Sequence, residues 1–227
     1  KIMTALLTIE NLPDLNETIT VPEDIFEELT AQDASVAGFN PYEQPTVRDL
    51  LYGVLLPSGA DACETLARAV GGSEEGFVAM MNQKAEELGL TNTHFENCTG
   101  LHNDNHYSTC RDIAVLMSEC LKSDTFREIV TREVYTTEAT ASHPEGIMLY
   151  DTMLHRFTSY EMSTTLENGA VIEGGKTGFT DEAGQCLVSF AEYGGEEYIL
   201  VTAEAMTDSG SAVDSIADAS TVYGRLQ

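Results

Sequence analysis

Val171-Ile-Glu-Gly-Gly-Lys-Thr-Gly-Phe-Thr180 leads to Gln185-Cys-Leu-Val-Ser-Phe-Ala-Glu-Tyr193 and, across Gly194-Gly195, to Glu197-Tyr-Ile-Leu-Val-Thr-Ala-Glu-Ala205. All three runs are rich in β-branched and aromatic residues, and a Gly-Gly pair between two such runs is a hairpin signal. The stretch therefore predicts an antiparallel sheet. Within its first strand, Lys176-Thr177-Gly178 offers a cation and a hydroxyl to a carboxylate. The glycine lets a ligand lie close along the backbone. Three residues recur by chance, so the triplet needs support from elsewhere in the chain.

Upstream, the period changes from two to 3.6. Residues 1–9 read as the later part of a helix, with Ile2, Leu6 and Ile9 on one face, broken at Asn11-Leu12-Pro13-Asp14. Residues 18–21 look like a short strand ahead of Pro22. Thr46 is an N-cap for a helix over 47–56, Pro57-Ser58-Gly59 interrupts it, and a second helix covers 61–70. Ser73 caps the next helix, with Glu74 and Glu75 in its positive first turn and Gly89 at its stop. Phe77, Met80, Met81, Ala85 and Leu88 form its buried stripe. A polar loop over 97–107 is followed by Thr109-x-x-Asp112, a capping-box pattern, then by a short helix over 125–130 and a β-prone run at 134–140. An amphipathic helix over 212–226 closes the chain. Helices in the middle and strands at the end predict an α-helical lobe beside an antiparallel sheet, an α/β chain of the α+β kind.

Composition narrows the function. The 227 residues carry a net charge of −27, spread along the chain. Such a surface repels phosphates and anionic lipid, so no nucleic-acid or membrane-surface partner is expected. No apolar run approaches the ~20 residues that span a bilayer, and no signal peptide is evident. That fits a cytosolic protein or the mature form of an exported one. Cys63, Cys98, Cys110, Cys120 and Cys186 form no CxxC pair. Free thiols are expected, with a single bridge such as Cys98–Cys110 left open.

Three segments then fall into order: Lys1-Ile-Met-Thr-Ala-Leu-Leu7, Leu56-Pro-Ser-Gly-Ala-Asp-Ala62, and Gly174-Gly-Lys-Thr-Gly-Phe-Thr-Asp-Glu-Ala-Gly184. Asn92-Thr-His-Phe-x-Asn-x-Thr-Gly-Leu101 and His106-Tyr-Ser-Thr-x-Arg-Asp112 accompany them. Over essentially its whole length the chain resembles the serine D-alanyl-D-alanine carboxypeptidases, the low-molecular-weight penicillin-binding proteins, whose sites combine S-x-x-K, S-x-N and K-T-G elements. The resemblance implies a β-lactamase/transpeptidase-like fold over residues 1–227. Residues 46–165 would be mainly a helical lobe and residues 170–227 the sheet and closing helix, with no C-terminal β domain. It implies Lys1 as the base for the serine nucleophile, Ser58 as proton relay, Lys176 and Thr177 as carboxylate binders, and the Phe179 N–H beside Gly178 as half of an oxyanion hole. The substrate would be a peptidoglycan stem peptide, β-lactams would bind as its mimics, the protein would work outside the cytoplasm, and neither cofactor nor metal would be needed.

The chain departs from the family in three ways. The family serine lies three residues ahead of the lysine with which this sequence starts, so the polypeptide as written is expected to form no acyl-enzyme. Strands that precede that serine are expected to be missing with it, as are the second domain and membrane anchor of many relatives. Ala60 stands where relatives have asparagine, which removes a hydrogen bond worth about 1 kcal/mol. Residues 199–213 contain none of the arginines that relatives use near the end of the last strand.

Other readings differ by class. A class A β-lactamase would need a Glu-x-x-Leu-Asn element; Leu166-Glu167-Asn168 has the wrong order. A metalloenzyme could use His102-x-Asp104-x-His106 with His94. A non-catalytic binding module would keep the carboxylate pocket without turnover.

Overall fold

The computed structural model describes residues 1–205 and 213–227. The predicted start of the last helix at Ala212 and residues 206–212 of the arginine-free stretch lie outside the described residues. Helix α1 (Ile2–Asn11) is the axis of the helical part: Ile2, Met3, Thr4, Ala5, Leu6, Leu7 and Thr8 are all buried. A helix apolar on every side belongs in the middle of its neighbours. Here α3 (Val47–Leu55), α4 (Ala60–Gly71), α5 (Glu74–Glu87), α6 (Cys110–Cys120) and α7 (Asp124–Val130) pack around it. Its two threonines spend their hydroxyls internally, Thr8 Oγ1 on Thr4 O at 2.8 Å and Thr4 Oγ1 on Cys98 O at 2.7 Å, as buried polar groups must.

Most helix starts follow the cap residues. Thr46 and Asp49 close a reciprocal capping box on α3, and Ser73 accepts the Gly76 N–H of α5. Thr109 accepts the Asp112 N–H of α6, but the box stays half closed. The Asp112 carboxylate instead accepts from Asn92 N at 2.9 Å and Thr93 Oγ1 at 2.8 Å, pinning the preceding loop. Asp49 also has a tertiary role, accepting from Tyr135 Oη at 2.9 Å while the Tyr52 and Tyr135 rings stack at 3.6 Å.

Four elements differ from the sequence expectation. Residues 18–21 make a few backbone bonds, Ile19 N to Pro45 O, Val21 N to Glu43 O and Tyr42 N to Val21 O, with one isolated bridge between Thr18 and Thr46, without becoming a strand. The partner segment holds Pro41 and Pro45, which have no N–H to extend a ladder. Helices α2 (Ile25–Ala31) and α8 (Leu154–Ser159) were not anticipated. At seven and six residues they are too short to form on propensity, and packing creates them. The β-prone run at 134–140 yields only β1 (Val134–Thr136), paired antiparallel with β2 (Met148–Tyr150).

The main sheet has the order β3 (Val171–Thr180), β4 (Gly184–Tyr193), β5 (Glu196–Ala205), antiparallel throughout, with Gly194 and Gly195 both at positive φ in the hairpin turn. Alternation assigns the faces of β4. Leu187 and Ala191 join Ile216, Ala219 and Tyr223 of α9 (Asp214–Tyr223), and Ser189 meets Tyr223 Oη at 3.1 Å. Val188 and Phe190 point the other way, into the helical core. The sheet is thus sandwiched between α9 and the helices around α1, with β5 packed on α6 and β3 touching α7. A Cβ on Gly174 would stand 2.4 Å from Val130 O, and one on Gly175 2.4 Å from Val188 O. The two glycines ahead of Lys176 are there because nothing larger fits.

All five cysteines are free, so the Cys98–Cys110 bridge left open above does not form: Cys98 is buried and Cys110 is exposed at the start of α6. Among the described residues no helix is long and apolar enough to cross a membrane. Phe190 is fully buried between Arg127 and the helical core. Phe190→Ala should lower the unfolding free energy by about 3–5 kcal/mol. Chemical denaturation measures this; an unchanged midpoint would contradict the two-faced role given to β4.

Candidate active site

The Ser58 turn is the most constrained piece of backbone in the site. Ser58 has φ +67°, a left-handed conformation that costs a non-glycine residue of order 1–3 kcal/mol. Asp61 holds it there. Its fully buried carboxylate accepts from Ala37 N (2.7 Å), Gly38 N (3.0 Å), Phe39 N (3.1 Å) and Ala62 N (3.0 Å). Ala60 N donates to Ser35 O at 2.7 Å, which fastens the turn on its other side. Gly59, not Ser58, is the N-cap of α4 and no side chain caps the helix, which leaves the Ser58 hydroxyl without a capping role. Gly59 is required, since a Cβ there would lie 2.7 Å from Ala37 N and from Asp61 Oδ1.

Lys1 precedes α1 and donates from Nζ to Thr99 O at 2.5 Å. The loop carrying Thr99 is fixed by Asn97, which accepts from Gly100 N and donates to Leu101 O, and by Thr4 Oγ1 on Cys98 O. On the opposite wall, β3 delivers Lys176 and Thr177. Lys176 is nearly buried and donates from Nζ to Thr177 O at 3.1 Å. Burial pushes its pKa down to about 7, with the Lys1 charge adding to the effect and Asp151 opposing it. Asp151 accepts from Leu154 N and Met153 N at 2.7 and 2.8 Å, yet burial pushes its carboxyl up to about 7. The two groups oppose each other's shift, but desolvation dominates for both. Thr177 Oγ1 meets Thr152 Oγ1 at 2.5 Å.

All seven positions read from the sequence line one cleft of about 350 Å³: Lys1, Ser58 and Ala60 from the helical side, Lys176, Thr177, Gly178 and Phe179 from β3. It continues past Lys1 and Gly178 into a wider groove of about 610 Å³ between α6, β4 and β5. A larger groove of about 880 Å³ lies between α7, α8 and the start of β3 and contains none of these groups. Sequence reading missed Asp61, Asp151, Thr152 and Arg156. Only an aspartate inside an apolar run, at positions 61 and 151, hinted at buried roles.

The histidines expected as alternative metal ligands are spent otherwise. His94 meets Glu96 at 2.9 Å, His102 faces Asp104 and Glu182, and His106 Nδ1 accepts the Glu96 N–H. Among the described residues, the acidic and sulfur groups that do converge are Glu64, Glu74 and Cys98, with candidate ligand atoms within 4.8 Å of one another. Their chemistry is that of a shared proton. Cys98 Sγ donates to Glu64 at 3.3 Å, Cys98 N donates to Glu74, and burial holds the thiol well above its usual range. Burial, then the Glu74 charge, pushes Glu64 up to about 7.

A family model described as D-alanyl-D-alanine carboxypeptidase matches residues 1–207. The chain belongs to the D-alanyl-D-alanine carboxypeptidase family. It is 34% identical over 208 residues to D-alanyl-D-alanine carboxypeptidase DacF of Bacillus subtilis (strain 168), covering 91% of this chain and 50% of that protein. It is 36% identical over 207 residues to the D-alanyl-D-alanine carboxypeptidase of Streptomyces sp. (strain K15), covering 88% of this chain and 68% of that protein. The crystal structure of the Streptomyces K15 DD-transpeptidase superposes with a TM-score of 0.81 at 31% identity, over 98% of this chain and 84% of that one. The Mycobacterium tuberculosis H37Rv D-alanyl-D-alanine carboxypeptidase structure gives 0.78 at 27%, over 98% and 77%. The chain spans about half the length of DacF and of Escherichia coli DacC. The antiparallel sheet flanked by helices is thus the fold of this carboxypeptidase family.

The Glu64 proton generates a prediction about the family fold in this chain. Because folding raises the Glu64 pKa, the unfolded chain gives up that proton first, and stability falls as pH rises from about 4.5 through about 7. Glu64→Gln should remove this loss and gain of order 1–3 kcal/mol at pH 8 while changing little at pH 4. Denaturation curves at the two pH values decide it, and equal pH dependence in both proteins would refute the buried-proton account.

Proposed function

We propose that residues 1–227 are the catalytic domain of an exported serine D-Ala-D-Ala carboxypeptidase that removes the terminal D-alanine of peptidoglycan stem peptides and binds penicillin. The observation that carries this is the single cleft in which Lys1 and Ser58 face Lys176 and Thr177. A carboxylate needs a cation and donors in fixed places, and the β3 lysine with the Thr152–Thr177 hydroxyl pair supplies both.

With the substrate carboxylate seated there, the scissile carbonyl lies along β3, where the Phe179 N–H is one oxyanion donor, worth ~3 kcal/mol. The nucleophile is the serine that the family places three residues ahead of Lys1. Lys1 takes its proton as the hydroxyl attacks. Ser58, its backbone locked by the Asp61 clamp, gives its hydroxyl proton to the departing D-alanine amine and takes in its place the proton that Lys1 holds. Water then hydrolyses the acyl-enzyme. Ala60 offers only a methyl to the substrate amide, which slows or redirects turnover without abolishing it. β-Lactams enter as carboxylate-bearing mimics.

Two variants test this on the protein that includes the upstream serine. Lys176→Ala should reduce penicillin acylation and D-alanine release from a pentapeptide by about a hundredfold or more. Labelling at the wild-type rate would reject the assignment. Ser58→Gly suits the left-handed backbone, so stability should stay within about 1 kcal/mol, while turnover falls by about 10²–10⁴-fold. Full turnover in that variant would remove Ser58 from the mechanism. Correctly folded wild-type protein that releases no D-alanine would favour a binding module instead.

A further inference from the structure

The cleft is electrostatically unlike the rest of the molecule. Eleven lysines and arginines are scattered over a chain of net charge −27, yet three of them, Lys1, Arg156 and Lys176, line this one cavity, with Asp33 the one acidic side chain on its wall among the described residues. No motif in the sequence singles out Arg156. It sits half-buried in α8, and the helix is fixed from both ends of its first turn. The Asp151 carboxylate takes the Met153 and Leu154 N–H groups, and Phe157, the next residue after Arg156, is buried to 1% exposure. Asp151 is followed directly by Thr152, whose hydroxyl touches that of Thr177. One rigid turn therefore carries both a hydroxyl donor and a guanidinium into the cleft on the side of Thr177 and Lys176.

We infer that Arg156 is a substrate-binding residue of this cleft, which with Thr152, Thr177 and Lys176 selects peptides that end in a free carboxylate. This rests on the function proposed above and assigns a residue to it. A guanidinium presents paired N–H donors in a plane that match a carboxylate's two oxygens, whereas an ammonium is a point charge. The division of labour also has a pH signature. Lys176 loses its proton near pH 7, while a guanidinium stays charged across the working range. In the empty cleft Lys176 therefore keeps less of its charge than Arg156 as pH rises through 7, so capture of a carboxylate leans more on Arg156 at alkaline pH. Asp151, close to both, and Tyr160, which faces Arg156, are the neighbours that favour the guanidinium's charge against burial.

The test needs no turnover and uses this chain itself. N-acetyl-D-alanyl-D-alanine and its C-terminal amide are titrated by NMR into the wild type, Arg156→Gln and Arg156→Lys, at pH 6 and pH 8.5. The wild type should prefer the acid to the amide at least tenfold at pH 6. Arg156→Gln should weaken the acid about tenfold, more at pH 8.5 than at pH 6, and leave the amide within twofold; Arg156→Lys should recover part of the loss. Unchanged acid affinity, or an equal loss for acid and amide, overturns the assignment of Arg156 while the wild-type preference keeps the carboxylate cleft standing. A wild type that does not tell acid from amide overturns the cleft reading itself. If the glutamine variant does not fold, Arg156→Met, which keeps the aliphatic stem, is read by the same criteria.

Discussion

Everything in the cleft is measured from one buried carboxylate. Asp61 takes four backbone N–H groups, three of them from residues 37–39 more than twenty positions earlier, and in doing so closes the loop at 33–39 onto the start of α4. A buried charge is tolerable only when its oxygens are fully occupied, and here they are. The same four bonds fix the preceding turn, so Ser58 keeps a backbone conformation that its own side chain disfavours. Strain of this kind persists where the surroundings overdetermine it. The clamp therefore joins fold to chemistry: it sets the hydroxyl's place relative to α1 and to the sheet.

A second constraint is the tight contact between the sheet and the helices. Gly174 lets β3 lie against Val130 O at the end of α7, and Gly175 lets it close on Val188 O of the neighbouring β4. Lys176 then enters a nearly dry site, with Asp151 beneath it and Lys1 across from it. Burial pushes lysine and carboxylate alike toward their neutral forms. The Glu64–Cys98 pair behind the Lys1 loop obeys the same rule. In a chain so strongly acidic, a cation-lined cleft focuses the field on small anions rather than on the protein's own surface.

Much of this was legible in the sequence. The Gly194-Gly195 hairpin, the caps at Thr46, Ser73 and Thr109, and the apolar row of α1 are local signals, and each produced the element it announced. The three motif segments were legible as chemistry because lysine, serine and the glycine-flanked Lys-Thr pair are residue types with few structural substitutes. What was not legible has a common cause. α2 and α8 have no side-chain N-cap to announce them, unlike α7 of similar length, and residues 18–21 failed as a strand because Pro45 has no N–H to return to Ile19. Asp112 gave up half of a capping box to hold a loop twenty residues away.

The amino-acid sequence alone determined the kinds of element, their order, and the residue types available for catalysis, since periodicity, caps and turn chemistry act over a few residues. Only the tertiary structure decided which of those residues meet. Lys1 and Thr99 are 98 positions apart, Thr152 and Thr177 are 25 apart, and Arg156 reaches the same cavity from a helix that the sequence did not announce. Such encounters depend on the packing of whole helices against a sheet, and on burial that no short window of residues contains.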